Sequence, residues 1–216
     1  MLGSVFTLSV VNSLIYGLWS TKQPTSAFRT LVKTAAILCL AFYVYLSGGP
    51  FFLVAALCLS ALGDFFLSRD GDRMFLAGMV AFFAAHLAYI PLFVSLGYGG
   101  EMILNRWPIV VLLSVFAIVL FRLLWPHLGA LRTPVAVYFV AIGAMFLSAL
   151  GLPTTGSAGL VLIGALSFII SDSVLALEKF YFVTGAFQLR ITPYVVWAFY
   201  WAAQVLIAFG TLQHFA

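Results

Sequence analysis

Long apolar stretches separated by short polar segments fill the chain from one end to the other. A bilayer core about 30 Å thick needs roughly 20 apolar residues in an α-helix. Stretches of about this length lie at 2–20, 30–47, 50–67, 74–96, 107–125, 133–150, 158–177 and 191–212. The pattern predicts an all-α, polytopic membrane helix bundle of about eight transmembrane helices, in a single integral membrane domain over residues 1–216.

Turn-forming or polar segments separate these stretches. They lie at Gly48-Gly49-Pro50, 68–73, 97–106, Trp125-Pro126 and Gly151-Leu152-Pro153. Glycine, proline and clustered polar residues are typical of turns. The tightest of these segments, at Gly48-Gly49, predicts that the second and third stretches form an antiparallel helical hairpin.

The composition excludes a water-soluble fold. Of the 216 residues, 64% are apolar and 7% are charged, and the mean hydropathy is +1.17. A soluble domain has about 25% charged residues. The apolar stretches leave no room for a second, soluble domain.

The basic residues are concentrated at one end of the predicted helices. Nine of the ten Lys and Arg residues lie at or beside the loops after the first, third, fifth and seventh stretches, and only Arg106 lies at the other end. Cytoplasmic loops carry such an excess, so we expect this end to be cytoplasmic and both termini to be on the outer side. The net charge of +4 therefore reflects topology and does not indicate nucleic-acid binding. The compact loops favour a bacterial cytoplasmic (inner) membrane.

Two of the six carboxylates lie deep within predicted spans. The other four lie in loops or at a span end, where solvated surface charge is expected: Asp70, Asp72, Glu101 and Glu178. Asp64 and Asp172 each lie about 21 Å along a helix from its outer end, at a rise of 1.5 Å per residue. In a core about 30 Å thick, both are roughly 9 Å from the cytoplasmic boundary. The two acids are therefore predicted to share a depth.

A carboxylate inside a membrane costs several kcal/mol and faces a partner or a wet cavity by default. Asp64 and Asp172 could satisfy this need with inter-helix hydrogen bonds or with a nearby Lys or Arg, a purely structural role. Two carboxyl groups in one pocket of low dielectric instead favour one protonated and one ionised form. Such a pair supplies a general acid and a general base without a metal.

Other polar residues within the spans are candidates for binding a substrate. Phe82, His86 and Tyr89 are spaced to share one helix face, and His86 suits a packing role or a functional one equally. The three histidines are too scattered for a three-histidine zinc site, and no G-x-S-x-G motif is present, so neither a metal nor a cofactor is predicted.

Three further stretches offer polar side chains. Trp197, Tyr200, Trp201 and Gln204 share a face of the last span; such a stripe is more often packing than a binding surface, but Gln204 lies deep in the span. Lys33 and Tyr138 lie near the cytoplasmic ends of their spans and could reach a phosphate at headgroup level. The alternative is ordinary snorkelling and placement in the interfacial belt.

Several motifs follow one another along the chain. They are Leu62-Gly63-Asp64, then Phe75, Gly78, Phe82, His86 and Tyr89, then Gly164, Phe168 and Ser171-Asp172, and last Tyr200 and Gln204. In this order they resemble the YhhN family of lysoplasmalogenases, and the resemblance extends from Lys33 to Gln204. It implies a multi-pass hydrolase that cleaves the vinyl-ether bond of lysoplasmalogens. The products would be a fatty aldehyde and glycerophosphoethanolamine or glycerophosphocholine.

The resemblance also implies functional residues and partners. The intramembrane aspartates of the family correspond to Asp64 and Asp172, its lysine to Lys33, and its histidine and tyrosine to His86 and Tyr89. The partners would be a lysophospholipid substrate and membrane lipids, while the oligomeric state is left open. Vinyl-ether hydrolysis suits two aspartates, because it needs a proton donor for carbon, a carboxylate beside the resulting cation and a base for water.

Three other functions are compatible with parts of the sequence. A proton-coupled transporter also uses paired intramembrane acids, although usually nearer the midplane. An intramembrane aspartyl protease is disfavoured, because Ala61-Leu62-Gly63-Asp64 and Ser171-Asp172 do not match the expected Gly-x-Gly-Asp and Tyr-Asp motifs. A purely structural or lipid-binding role is the third.

Overall fold

The computed structural model describes residues 2–97, 99–182 and 187–215, and these residues form helices and turns without a β-strand. The α-helices, in chain order, are α1 (Leu2–Leu18), α2 (Ala27–Leu46), α3 (Phe51–Leu67), α4 (Asp72–Ser95), α5 (Gly100–Asn105), α6 (Trp107–Leu124), α7 (Arg132–Leu150), α8 (Gly156–Phe180) and α9 (Thr192–Phe215). Short 3₁₀ turns lie at Ser20–Lys22, Trp125–His127, Gly129–Leu131 and Phe187–Arg190.

Six of these helices are long and apolar enough to cross a membrane: α2, α4, α6, α7, α8 and α9. Helices α1 and α3 are also apolar but have 17 residues each, which corresponds to about 26 Å at 1.5 Å per residue. The predicted all-helical, multi-pass membrane fold is therefore confirmed, with six helices of spanning length among the described residues.

The ends of the helices follow from local chemistry. The side chain of Ser26 accepts a hydrogen bond from the backbone N–H of Arg29 and caps the start of α2. Gly48 has a positive φ of 73°, which glycine adopts without steric cost, and it reverses the chain between α2 and α3. These two helices pack against each other, so the predicted antiparallel hairpin is confirmed.

The polar segment 97–106 contains more structure than the sequence indicates. Its described part includes the short helix α5, and Arg106 at its end donates hydrogen bonds of 2.5 and 2.6 Å to the backbone carbonyls of Leu150 and Leu152. The guanidinium therefore fastens this segment to the turn after α7.

Helix packing brings distant parts of the chain together. Neighbours in sequence pack as α1–α2, α2–α3, α3–α4 and α8–α9, whereas α4 also packs on α7 and α9 reaches back to α1, α2 and α3. Gly164 allows α8 and α9 to approach closely, because a Cβ at this position would lie 2.8 Å from Ile207 and 3.0 Å from the backbone of Ala203. The aspartate-bearing helices α3 and α8 thus face a common interior.

Candidate active site

Asp64 lies in a buried polar cluster formed by three helices. Its side chain, on α3, is 1% exposed, and its Oδ1 is 3.2 Å from Nζ of Lys33 on α2. Tyr200, on α9, donates a 2.6 Å hydrogen bond to Oδ2 of the same carboxylate. The sequence allowed each aspartate to pair with a nearby Lys or Arg. For Asp64 this residue is Lys33, whose ammonium group is directed at the carboxylate.

Asp172 lies in a second cluster with different partners. Tyr138, on α7, donates a 2.5 Å hydrogen bond to Oδ2 of Asp172 on α8. Nε2 of His86, on α4, is 3.0 Å from the Tyr138 hydroxyl and 3.2 Å from Oδ2 of Asp172. Tyr138 is thus directed at a carboxylate rather than at headgroup level. Each aspartate therefore contacts one tyrosine hydroxyl and one nitrogen atom of a basic side chain.

A buried aromatic ring lies between the two clusters. Phe168 is fully buried, and its ring centroid lies 4.7 Å from that of His86, 5.6 Å from Tyr200 and 6.3 Å from Tyr89. Phe82 is also in edge contact with Phe168. The prediction that Phe82, His86 and Tyr89 share one helix face is confirmed, since all three pack on this one ring.

Tyr89 and Gln204 form a third polar contact behind the clusters. The Tyr89 hydroxyl donates a hydrogen bond to Oε1 of Gln204, and both side chains are fully buried. Gln204 is one helical turn beyond Tyr200 on α9. The amide deep in the last span therefore fixes the helix that holds the Tyr200 hydroxyl.

A polar cavity of about 460 Å³ contains both aspartates in its wall. It extends from Asp64 and Asp172 to the loop at 69–71. Its other charged lining residues are Arg29, Lys33, Arg69, Asp70, Glu178 and Lys179. Both acids thus line one cavity, while their common depth in the membrane stays a prediction.

Glu178 corrects one expectation from the sequence. Position 178, at the end of a span, predicts a solvated surface charge, but Glu178 is only partly exposed and its Oε2 atom is buried. The reason is that α8 continues to Phe180, so this turn of the helix still packs inside the bundle and faces the cavity. Arg29, which sequence analysis did not single out, lines the same cavity; its spacing of four residues from Lys33 was the available signal.

An apolar cavity of about 190 Å³ adjoins the polar one. It lies among α4, α6, α7 and α8, and its lining includes Val110, Phe139 and Gly143. Among the described residues, five line both cavities: Leu67, Phe75, Phe82, Asp172 and Leu175. Asp172 is the one charged residue in this described set, whereas Asp64 lines only the polar cavity.

Fold and site together define an integral, multi-pass helical membrane protein with two carboxylates in the wall of one polar cavity, one of them, Asp172, also at the junction with an apolar cavity. The model of the YhhN family matches residues 28–211. The chain belongs to the YhhN family, and the resemblance noted in the sequence motifs is confirmed.

Several relatives carry the name lysoplasmalogenase. The chain is 37% identical to the lysoplasmalogenase of Mycobacterium tuberculosis over 163 residues, which are 73% of this chain and 59% of that protein. It is 36% identical to lysoplasmalogenase TMEM86B of Homo sapiens, covering 91% of this chain and 80% of the relative. It is 31% identical to lysoplasmalogenase TMEM86A of Bos taurus, covering 91% and 83%. The chain thus spans about three fifths of the length of the mycobacterial relative. No solved structure matches the chain.

Proposed function

We propose that this protein is a lysoplasmalogenase, a hydrolase that cleaves the vinyl-ether bond of a lysoplasmalogen. The products are a fatty aldehyde and glycerophosphoethanolamine or glycerophosphocholine. The names of its relatives support this assignment. The observation that carries it is the position of Asp172, where the apolar cavity meets the polar one.

The two cavities match the two halves of such a substrate. The hydrocarbon chain suits the apolar cavity between α6 and α7. The glycerophosphate headgroup suits the polar cavity, which we call the headgroup cavity. The vinyl-ether group joins these two halves. It therefore lies beside Asp172, with Asp64 on the headgroup side.

In this arrangement Asp172 is the proton donor. Its Oδ2 is occupied by Tyr138, so the other carboxyl oxygen delivers a proton to the carbon of the double bond that is not bonded to oxygen. That carbon belongs to the hydrocarbon chain and lies on the apolar side. The proton converts the vinyl ether into an oxocarbenium ion, and His86 and Tyr138 hold the Asp172 side chain in place.

Asp64 completes the reaction as the ionised carboxylate. The ammonium group of Lys33 at 3.2 Å and the hydroxyl of Tyr200 at 2.6 Å stabilise its negative charge. The carboxylate stabilises the oxocarbenium ion and accepts a proton from the attacking water. The hemiacetal then transfers its hydroxyl proton to the glycerol oxygen as the C–O bond breaks. Return of one proton from Asp64 to Asp172 closes the cycle. None of these steps uses a metal or a covalent enzyme intermediate.

The remaining predicted residues position the reacting side chains and do not transfer protons themselves. Tyr89 and Gln204 brace α4 against α9 and thereby hold His86 and Tyr200. Lys33 orients Asp64 and also faces the headgroup cavity.

We further propose that residues 1–216 form one membrane domain with eight spans, α1 and α3 included. In this topology the cavity opens to the cytoplasm of a bacterial inner membrane and both termini lie outside.

Turnover of two matched lipids tests the function. Purified protein in detergent is incubated with lysoplasmenylethanolamine and, separately, with the saturated 1-O-alkyl analogue, with and without EDTA. Aldehyde release from the vinyl ether alone, resistant to EDTA, is the expected result, because the alkyl ether has no double bond to protonate. No release from folded protein would contradict the proposal. Proton-driven uptake of a solute into vesicles would then favour the transporter.

A further inference from the structure

The headgroup cavity contains opposite charges that form no direct ion pair with each other in the described part of the chain. Arg29 on α2 and Glu178 on α8 both line it. Nε of Arg29 and Oε2 of Glu178 are both buried without a hydrogen-bond partner, and no ion pair within 4.0 Å involves Glu178 in the described ranges. Partly buried charges of both signs, each with a buried atom that lacks a partner, point to a ligand that carries both charges.

We propose that Glu178 binds the ammonium group of the lysophospholipid headgroup while Arg29 binds its phosphate. This inference rests on the proposed hydrolase function and adds the residue that selects the headgroup. A guanidinium is well suited to a phosphate, and a carboxylate to an ammonium group. The ligand class is therefore a zwitterionic lysolipid rather than an anionic one.

The spacing along α8 agrees with the size of such a headgroup. Glu178 follows Asp172 by six residues, which is roughly 9 Å along the helix axis. About nine bonds separate the vinyl-ether oxygen from the ammonium nitrogen of an ethanolamine lysolipid, or roughly 10 Å when extended at ordinary bond lengths. A substrate with its ether group at Asp172 therefore places its ammonium group near Glu178.

The other acidic residue at this end of the cavity is less suited to the role. Asp70 already accepts a 2.9 Å hydrogen bond from the hydroxyl of Thr25 and is exposed. The Thr192 hydroxyl approaches the Glu178 carboxylate, but neither it nor the buried Oε2 of Glu178 has a partner in hydrogen-bond geometry. Glu178 is thus the acid in this wall whose buried oxygen remains available to a ligand.

Binding of two uncleavable ligands tests the inference. The probes are 1-O-alkyl-glycerophosphoethanolamine and 1-O-alkyl-glycerophosphoglycerol of equal chain length. Only the first carries an ammonium group, and the second carries glycerol hydroxyls in its place. Their dissociation constants are measured by calorimetry on the full chain in detergent. The wild-type protein is expected to prefer the ethanolamine ligand, and Glu178→Gln to reduce this preference about tenfold. Glu101→Gln, at an exposed position outside both cavities, is the matched control and is expected to keep the preference.

Several results would overturn the inference. They are a wild-type protein without preference, an unchanged preference in Glu178→Gln, and equal weakening of both ligands. Should Glu178→Gln not fold, Glu178→Asp is the second variant, because it keeps the charge and shortens the side chain by one methylene. It is expected to reduce the preference by a smaller factor. An unchanged preference in Glu178→Asp overturns the inference as well. Neither ligand is cleaved, so this outcome is separate from aldehyde release, which tests the hydrolase function.

Discussion

The ammonium group of Lys33 lies 3.2 Å from the carboxylate of Asp64 across the interface of α2 and α3. Asp64 is buried and Lys33 nearly so, with 1% and 12% of their side chains exposed. Removal of one partner from a buried ion pair leaves an uncompensated charge and costs about 3–5 kcal/mol. The pair therefore links the stability of the fold to the charge state of the proposed base.

We expect Lys33→Met to lower both stability and aldehyde release, because Asp64 loses its counter-charge. The double variant Lys33→Met with Asp64→Asn is expected to regain stability but not activity. Thermal unfolding in detergent and aldehyde release are the two measurements. Lys22→Met, at an exposed turn, is the control. Equal stability of Lys33→Met and the wild type would contradict the coupling.

Loss of the proposed proton donor is expected to be severe. Asp172→Asn removes the acidic proton but keeps the shape of the side chain, so aldehyde release should fall by about 10²–10⁴-fold, the usual contribution of general acid catalysis. Asp72→Asn removes a fully exposed carboxylate outside both cavities and should keep the wild-type rate. Wild-type rates in both Asp64→Asn and Asp172→Asn would exclude the catalytic assignment.

The position of the new proton gives a direct test of the mechanism. Because the acid protonates carbon, turnover in D₂O should place one deuterium on the aldehyde carbon next to the carbonyl. Mass spectrometry of the aldehyde, trapped as it forms, measures this label. An unlabelled carbon would show that the bond breaks by another route. Fresh aldehyde incubated in D₂O without protein controls for exchange.

The hydroxyl of Tyr138 is expected to matter for turnover more than for binding. Tyr138→Phe removes the 2.5 Å hydrogen bond to Asp172, which becomes a charged carboxylate as it delivers its proton, and loss of a bond to a charged group costs about 1.5–3 kcal/mol. We expect kcat to fall by at least tenfold with KM little changed. Tyr45→Phe, on an exposed face of α2, is the matched control. A change confined to KM would instead indicate that Tyr138 contacts the substrate.

The apolar cavity is expected to set the preferred chain length. A Cβ at Gly143 would meet nothing within 4 Å, so Gly143→Leu can be accommodated by the backbone and extends into this cavity. KM should rise for long-chain substrates and change little for short-chain ones. Gly3→Leu also has open space but lines neither cavity. Identical chain-length profiles for both variants would place the hydrocarbon chain elsewhere.

The sequence predicted the helical membrane fold, because apolar stretches of spanning length depend only on composition and spacing. It also singled out Asp64 and Asp172 as candidate site residues, since an ionisable group inside a span is conspicuous whatever its neighbours are. The resemblance of the motifs indicated the family. The helix boundaries came within a few residues of the structure, as the turn residues at Gly48-Gly49 illustrate.

Only the tertiary structure decided which side chains meet. Lys33 and Asp64 are 31 positions apart, and His86 and Asp172 are 86 apart, so their contacts depend on how helices pack rather than on periodicity within one helix. The same packing turns Glu178 and Arg29 toward a shared cavity, where span-end charges would otherwise be expected to face water. Helix formation is local and follows from the order of residues, whereas the rotation of each helix is fixed by its neighbours, such as α9 against Gly164 of α8.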